Sequence, residues 1–596
     1  MITLVLLLGA SVLLALHAYW YYPYLSDDAL ISLRYAERLL SGEGLTWTDG
    51  RPVEGYSNLL WVLLVAGIGL FHIDLIDAVR ILGLTCTIAT FAAVLYALRD
   101  EKHAAPLTAL TFLALSGPVA AGAVGGLEQP LVAALLGWSV ALARPRLHGD
   151  IGHRPLSLLL GLLCVTRPDG PIFVVALITA RCIASPRPSL SSLVRLLIFP
   201  VVFYVGQLAF RLFYYGEWVP NTALVKIYFT AHAVDFGWAY VISGLWSLAP
   251  FSLFALAAML WLSLVRTTRA LGLLLLCLTI PWLFYVTTIG GDIFPAWRHF
   301  VPMTVVFAIA VGLGVDRVLN HCRRRWAQAA LGIGLALSCI LYLNTQLHDI
   351  RNQVALRERW VWDGQVLGLV LKKAFGEQKP LYAVDNAGCL PYFSELPALD
   401  MLGLNDHYLA RHPPPTFGTG ILAHELGDGD YLWQRRPDLI SFCLPDGSET
   451  SCFSGGKQLQ ALPDFHQQYS MVRFLGLHPY PLTAIVWVLK YSKKIGILDE
   501  GNRIEIPGFM FATQGSAAYL NKNGTLVTPV TVQWPAAVVL DRELTSEWVA
   551  DIISTNSQGL VVEFQTPEPG KTRIVLSTTS EEIIEISGMV FEKIGG

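Results

Sequence analysis

Residues 1–38 read MITLVLLLGASVLLALHAYWYYPYLSDDALISLRYAER. A helix of about 20 apolar residues spans a bilayer core, and residues 1–22 supply one. They lack a positive n-region and an A-x-A cleavage site, so they read as a retained first span, not a signal peptide. Two adjacent carboxylates, Asp27 and Asp28, follow directly. Apolar helices with polar clusters at one end recur along the chain, and this junction is the sharpest case.

Of the 596 residues, 54% are hydrophobic and only 15% are charged, with a mean hydropathy of +0.51. Soluble domains carry about 25% charged residues, so a single soluble enzyme is excluded. A disordered chain is excluded as well, since disorder needs low hydrophobicity and high net charge. The net charge of −3 gives no basic field for nucleic acid. The chain reads as an α-helical polytopic membrane protein. Eleven spans fall near 1–22, 76–98, 105–123, 127–143, 155–166, 171–185, 193–213, 241–264, 270–288, 300–316 and 327–344. The apolar stretch Leu59–Phe71 is too short to cross and reads as a helix on the outer surface, inside a long first outer loop of residues 23–75.

Basic residues set the orientation. With the N-terminus cytoplasmic, the inner loops hold Arg99 and Lys102, then Arg144, Arg146 and Arg154, then Arg181, Arg187 and Arg195, then Arg266 and Arg269, then Arg317, Arg323, Arg324 and Arg325. An odd number of spans places everything after 344 outside the cytoplasm. Residues 345–494 read as an extracytoplasmic α/β domain, helical over 346–375 with strands at Leu381–Val384 and Leu439–Phe442. Residues 495–596 turn β-rich, resembling a carbohydrate-binding module, with strands at Arg503–Ile506, Thr525–Trp534, Leu560–Phe564 and Arg573–Leu576 and turns at Asn523-Gly524 and Pro569-Gly570. Cys443 and Cys452 flank a turn sequence in a compartment that permits disulfides, so they are expected to pair.

The chemistry concentrates at the outer ends of the spans. A helix beginning at Asp27 puts Asp27, Arg34 and Arg38 on nearly one face, because offsets of seven and eleven residues are close to whole turns. Capping would use one Asp and is worth about 1 kcal/mol; it accounts for neither the second carboxylate nor the arginines. Beyond this helix come Val53-Glu54-Gly55-Tyr56-Ser57-Asn58, Gly125-Gly126-Leu127-Glu128, Arg167-Pro168-Asp169-Gly170, Pro220-Asn221-Thr222 with Lys226, and Gly290-Gly291-Asp292 with Arg298-His299. Charges at membrane depth are costly and mark function. Together these stretches describe a polar cavity opening outward. Cations that hold a phosphate leaving group and a carboxylate that takes a hydroxyl proton suit transfer of a sugar from a lipid phosphate.

The ordered set D-D-A-x-I-x-x-R-Y-A, V-E-G-Y-S-N-x-L-W, G-L-E, T-R-P-D-G, Y-Y-G-x-x-x-P-N-T-x-x-x-K and G-G-D-x-F-x-x-x-R resembles the AftB-like terminal β-(1→2) arabinofuranosyltransferases, within the GT-C superfamily of polyprenyl-phosphate-sugar-dependent transferases. The run from Ala387-Gly388 to Asn405-Asp406 resembles the same family, so the likeness covers about residues 20–445. It implies a GT-C type membrane fold, a decaprenyl-phosphoryl-arabinofuranose type of donor, and an extracytoplasmic glycan or glycoprotein acceptor. It also implies that Asp27 and Asp28 are catalytic. On this reading Arg167, Lys226, Arg298 and His299 are candidate holders of the donor phosphate. Glu54, Tyr56 and Asn58 shape the first-loop wall, and Asn405, Asp406 and His407 meet the acceptor. Arg34, Tyr35, Glu128, Asp169, Asn221 and Asp292 complete the substrate-binding set. Asp27, Asp28 and Glu128 leave room for a divalent cation, although hard-cation sites take several oxygen ligands. Three other readings stay open: a GT-C transferase that uses another polyprenyl-phosphate pentose or hexose, a lipid or sugar flippase, and a non-catalytic glycan-binding assembly protein whose working part is the β-rich tail.

Overall fold

The computed structural model describes residues 2–184, 188–226, 230–322, 324–513, 515–554, 556 and 558–594; the end of the 171–185 reading lies outside them. The chain divides into two compact units. The first comprises Met1–Thr46, Glu54–Glu358 and Gly418–Leu422, and the second Trp47–Val53, Arg359–Phe417 and Ala423–Gly596. The membrane unit therefore runs past residue 344 to Glu358, and seven residues of the first loop belong to the second unit.

In the first unit, six helices among the described residues are long and apolar enough to cross a membrane: Ile2–Trp20, Leu75–Ala97, Leu190–Tyr214, Arg269–Thr288, Arg298–His321 and Arg325–His348. The count becomes eight if each of two bent pairs is one span. The stretch read as 105–123 is broken at Ser116 into Ala104–Leu115 and Gly117–Val124, bent by 61°. The stretch read as 241–264 is Ala231–Ser247 followed by Phe251–Leu264, bent by 96°. Pro118 and Pro250 stand at these breaks, where a residue without an N–H ends a helical hydrogen-bond ladder. Leu59–Gly69, Arg154–Thr166 and Pro171–Ile183 are apolar but shorter, so the count of eleven is not confirmed. The chain is a multi-pass membrane protein.

The 301–321 helix lies at the centre of this unit, with Val305 to Ala310 all buried. The 325–348 helix instead exposes Ile333, Leu337, Ile340 and Leu341. Such an apolar outer stripe is a liability in water and the normal state of a lipid-facing surface. After it comes a short helix, Ile350–Arg357, whose Ala355 packs with Ala18, Tyr21, Tyr24, Ala120, Val124 and Ala296. The helical reading of 346–375 is thus split, and a second helix starts at Trp360.

The second unit contains a five-stranded mixed sheet in the order Ala398–Asp400, Tyr382–Val384, Leu439–Ser441, Leu482–Leu489, Tyr469–Gly476. The first three strands are parallel, with Tyr382 opposite both Ala398 and Leu439, and the last two pair antiparallel. The Cys443–Cys452 disulfide forms as expected, its Cα atoms 5.5 Å apart. The β-rich tail follows, in a three-stranded and a six-stranded sheet. The strands expected from 503, 560 and 573 are present, and Thr525–Trp534 shortens to Leu526–Val530. Gly524 and Gly570 take the left-handed turn conformation. Thr572–Thr578 buries every second residue, the period of a one-sided strand.

Candidate active site

The helix Asp27–Leu40 begins where the first span ends, with Ser26 as its N-cap. The Ser26 N–H donates to the Gly125 carbonyl at 3.0 Å, so the start of the helix is seated on the Gly125-Gly126-Leu127-Glu128 stretch. Gly126 has φ +85°, and a Cβ there would lie 2.8 Å from Ala29 Cβ and Leu25 Cδ1. Only glycine combines that backbone with so close an approach. Its carbonyl accepts from Trp61 Nε1 at 3.0 Å, tying the 59–69 helix to the same point.

Asp28 thereby faces two cations that come from far along the chain. Its Oδ2 accepts from Lys226 Nζ at 3.1 Å and lies 3.5 Å from Arg298 Nη1. Arg298 is itself gripped by Asp292, which is only 2% exposed at its side chain. Burial pushes the Asp28 carboxyl up, but Lys226 and Arg298 together outweigh it and hold the group below the ordinary carboxylate range. Asp28 is therefore ionised throughout the physiological range.

A second ionic cluster is centred on Arg167. Its guanidinium pairs with Glu128, and with Asp169 at 2.8 Å through Nη2 and 3.0 Å through Nε. Glu128 also accepts from Asn58 Nδ2 at 2.9 Å and Gln129 Nε2 at 3.1 Å, and Asn58 is bonded to Ser32 of the acidic helix. Arg167, a candidate holder of the donor phosphate, is thus held between two carboxylates. Glu54 forms a buried two-point pair with Arg211. Its carbonyl accepts from Asn221 N at 2.9 Å. Tyr35 accepts from Gly55 N at 2.9 Å, and its ring lies edge-on to Tyr56, 4.8 Å between centroids. The Tyr56 hydroxyl meets that of Tyr215 at 3.2 Å.

Some expectations are redirected. Arg34 is buried, and Arg38 binds Glu43 and, at 2.9 Å, Thr46. Arg38 shares a face with Asp27 but stands three turns away, roughly 16 Å along the axis, and the cations that meet Asp28 are Lys226 and Arg298. His299 is buried, and its carbonyl accepts from Trp282 Nε1 at 2.9 Å. Asn405 and Asp406 belong to the second unit and brace their own loop. Asn405 binds Asp400 through its N–H at 2.7 Å and its side chain at 3.1 Å, and Asp406 accepts from Leu409 N and the Tyr431 hydroxyl. His407 Nδ1 lies 3.4 Å from Arg51 Nη1. Among the described residues, no group of three or more His, Cys, Asp or Glu side chains is placed to hold a metal ion. Asp28 turns toward Lys226 and Glu128 toward Arg167.

The chain is 28% identical over 426 residues to the terminal β-(1→2)-arabinofuranosyltransferase of Corynebacterium glutamicum, covering 62% of this chain and 59% of that relative. It is 28% identical over 330 residues to the enzyme of the same name from Mycobacterium tuberculosis, covering 51% and 49%. The chain thus spans about half to three-fifths of the length of these curated relatives. The crystal structure of ArnT from Cupriavidus metallidurans bound to undecaprenyl phosphate superposes with a TM-score of 0.51 at 13% identity, over 81% of this chain and 97% of that one. The fold is that of the GT-C glycosyltransferases. Residues 349–491 match a family described as a domain of unknown function, DUF8728.

Within this GT-C fold, three side chains were not anticipated. Arg211, the partner of Glu54, is an arginine inside an apolar span, which is itself a functional signal. Arg351 donates to the Asp292 and Phe294 carbonyls, both at 3.0 Å, and so holds the loop that presents Arg298. Glu358 closes the first unit and interacts electrostatically with Asp27. No motif marks the last two; only the path of the 350–357 helix reveals them.

Proposed function

We propose that this protein transfers a pentose, arabinofuranose, from a polyprenyl-phosphate carrier to a glycan or glycoconjugate acceptor. Transfer takes place at the outer face of a bacterial inner membrane, with the N-terminus cytoplasmic and the second unit extracytoplasmic. The observation that carries the reading is Asp28 set against Lys226 and Arg298, with Arg298 fixed by Asp292. The names of the curated relatives supply the sugar, and the lipid phosphate named with the ArnT structure supplies the class of carrier.

In this reaction the acceptor hydroxyl oxygen bonds to the anomeric carbon while the bond from that carbon to the phosphate oxygen breaks. The electron pair stays on the polyprenyl phosphate, and Lys226 and Arg298 stabilise its charge. The hydroxyl proton goes to Asp28. The same two cations hold Asp28 acidic when no donor is bound. A phosphate that draws them away therefore makes Asp28 a stronger base at the moment the donor is in place.

The test is to incubate the purified protein with polyprenyl-phosphoryl arabinofuranose and oligo-arabinan acceptors, then map the product linkage by NMR. A new glycosidic bond in the wild type, lost in Asp28→Asn, supports the reading. Movement of the lipid across the bilayer with no new bond would replace it with a flippase.

A further inference from the structure

The 350–357 helix holds a position inside the first unit that a connector to a soluble domain would not need. Asn352 is fully buried, and its Nδ2 donates to the Gln346 carbonyl at 3.1 Å; Gln346 in turn accepts from Gly117 N at 2.8 Å. Asp349 accepts from Trp297 Nε1 at 3.0 Å. Ala355 packs against Tyr21 and Tyr24, and Arg351 holds the 292–294 backbone. These contacts fix the end of the helix, and there Glu358 keeps a buried Oε2 with no hydrogen-bond partner among the described residues. The groups that face it are the Asp27 carboxylate and the Tyr24 hydroxyl, and Tyr24 also feels Arg298 and Asp292.

We propose that Glu358 is a positioning carboxyl of the transfer site, taking up through Asp27 the proton that the acceptor hydroxyl loses. This rests on the transferase reading above. The chemistry balances: the proton leaves the acceptor oxygen as the glycosidic bond forms, enters the acidic pair, and ends on the Glu358 carboxylate before release to water. The direction is downhill. Asp28 is held below the ordinary carboxylate range, whereas burial, reinforced by the charge of Asp27, pushes Glu358 up to about 7. An orphaned carboxylate oxygen beside an acidic pair is the group with the greatest affinity for that proton.

Two measurements on the full chain test this. The first is the pH dependence of transfer to an oligo-arabinan acceptor. The wild-type rate falls as pH drops through about 7, because Glu358 must be ionised to accept. Glu358→Gln runs about 10²-fold slower above that pH and loses the limb, while Glu358→Asp recovers part of the rate and keeps the limb. The second is an infrared titration of the carboxylic-acid C=O band, which needs no turnover. A band titrating near pH 7 is expected in the wild type, absent in Glu358→Gln, with its midpoint lowered in Asp27→Asn. A Glu358→Gln profile that matches the wild type, or a midpoint that Asp27→Asn leaves in place, overturns the proposal. If the wild type transfers no sugar while the band behaves as stated, the transferase reading fails and takes the role of Glu358 in proton uptake with it, and the Asp27–Glu358 coupling stands alone.

Discussion

Asp292 holds Arg298 with both of its oxygens, Oδ2 on Nε at 2.6 Å and Oδ1 on Nη2 at 3.0 Å, which leaves Nη1 to face Asp28 at 3.5 Å. A two-point grip fixes the plane of the guanidinium as well as its position. Asp292→Asn should leave Arg298 charged but free to turn. The expected outcome is a rise in KM for the lipid-linked donor and a fall in kcat/KM of about 10-fold or more, measured by steady-state transfer.

Asp28→Asn removes the base and keeps the shape. Transfer should fall by about 10²–10⁴ while the protein still inserts and folds, checked by product formation and by a cooperative melt in detergent. Unchanged transfer would remove Asp28 from the mechanism.

Lys226→Met tests the electrostatics from the other side. Without this cation the Asp28 carboxyl rises toward, or above, its ordinary range. In an infrared titration, the carboxylic-acid band that disappears in Asp28→Asn should therefore titrate at a higher pH in Lys226→Met than in the wild type. A band that stays in place would show that Lys226 does not set the charge state of Asp28.

Glu54 and Arg211 form a buried ion pair, their side chains 3% and 10% exposed. Removing one partner leaves an uncompensated charge, at about 3–5 kcal/mol. Arg211→Met should therefore lower the melting temperature more than the double variant Glu54→Gln/Arg211→Met does. Equal losses would show that the pair is not coupled.

The second unit carries a pH dependence of its own. Burial pushes Asp385 up to about 7 and Asp400 up to about 6, partly relieved by the Cys443 N–H on Asp385 and the Asn405 N–H on Asp400. The unfolded chain releases these protons near pH 4, so above that pH it binds fewer protons than the fold does. Stability consequently falls as pH rises from about 4 to about 7 and then levels off. Asp385→Asn should flatten this slope and melt higher than the wild type at pH 8, read by thermal denaturation.

Much of this was legible along the chain. Apolar runs of spanning length, the paired acid after the first of them, and glycine-flanked polar stretches at helix ends are local patterns with local causes: bilayer thickness, capping and turn chemistry. The Cys443–Cys452 pair could be read for the same reason, since its partners lie nine residues apart. The span count could not be fixed, because a break such as that at Ser116 depends on how neighbouring helices pack.

The choice of partner for each charge belongs to the tertiary structure. Hydropathy and spacing named Asp28, Arg34, Arg38, Arg167, Lys226 and Arg298 as one polar set, without saying which would meet. Coulomb energy depends on distance in space, and residues 28, 226 and 298 are brought together only by the packing of helices far apart in sequence. Arg167 found Asp169 two residues away but was brought to Glu128 by the same packing, and Glu358 reached Asp27 because the chain turns back after the 325–348 helix. The residue types came from the sequence, and folding chose the pairs.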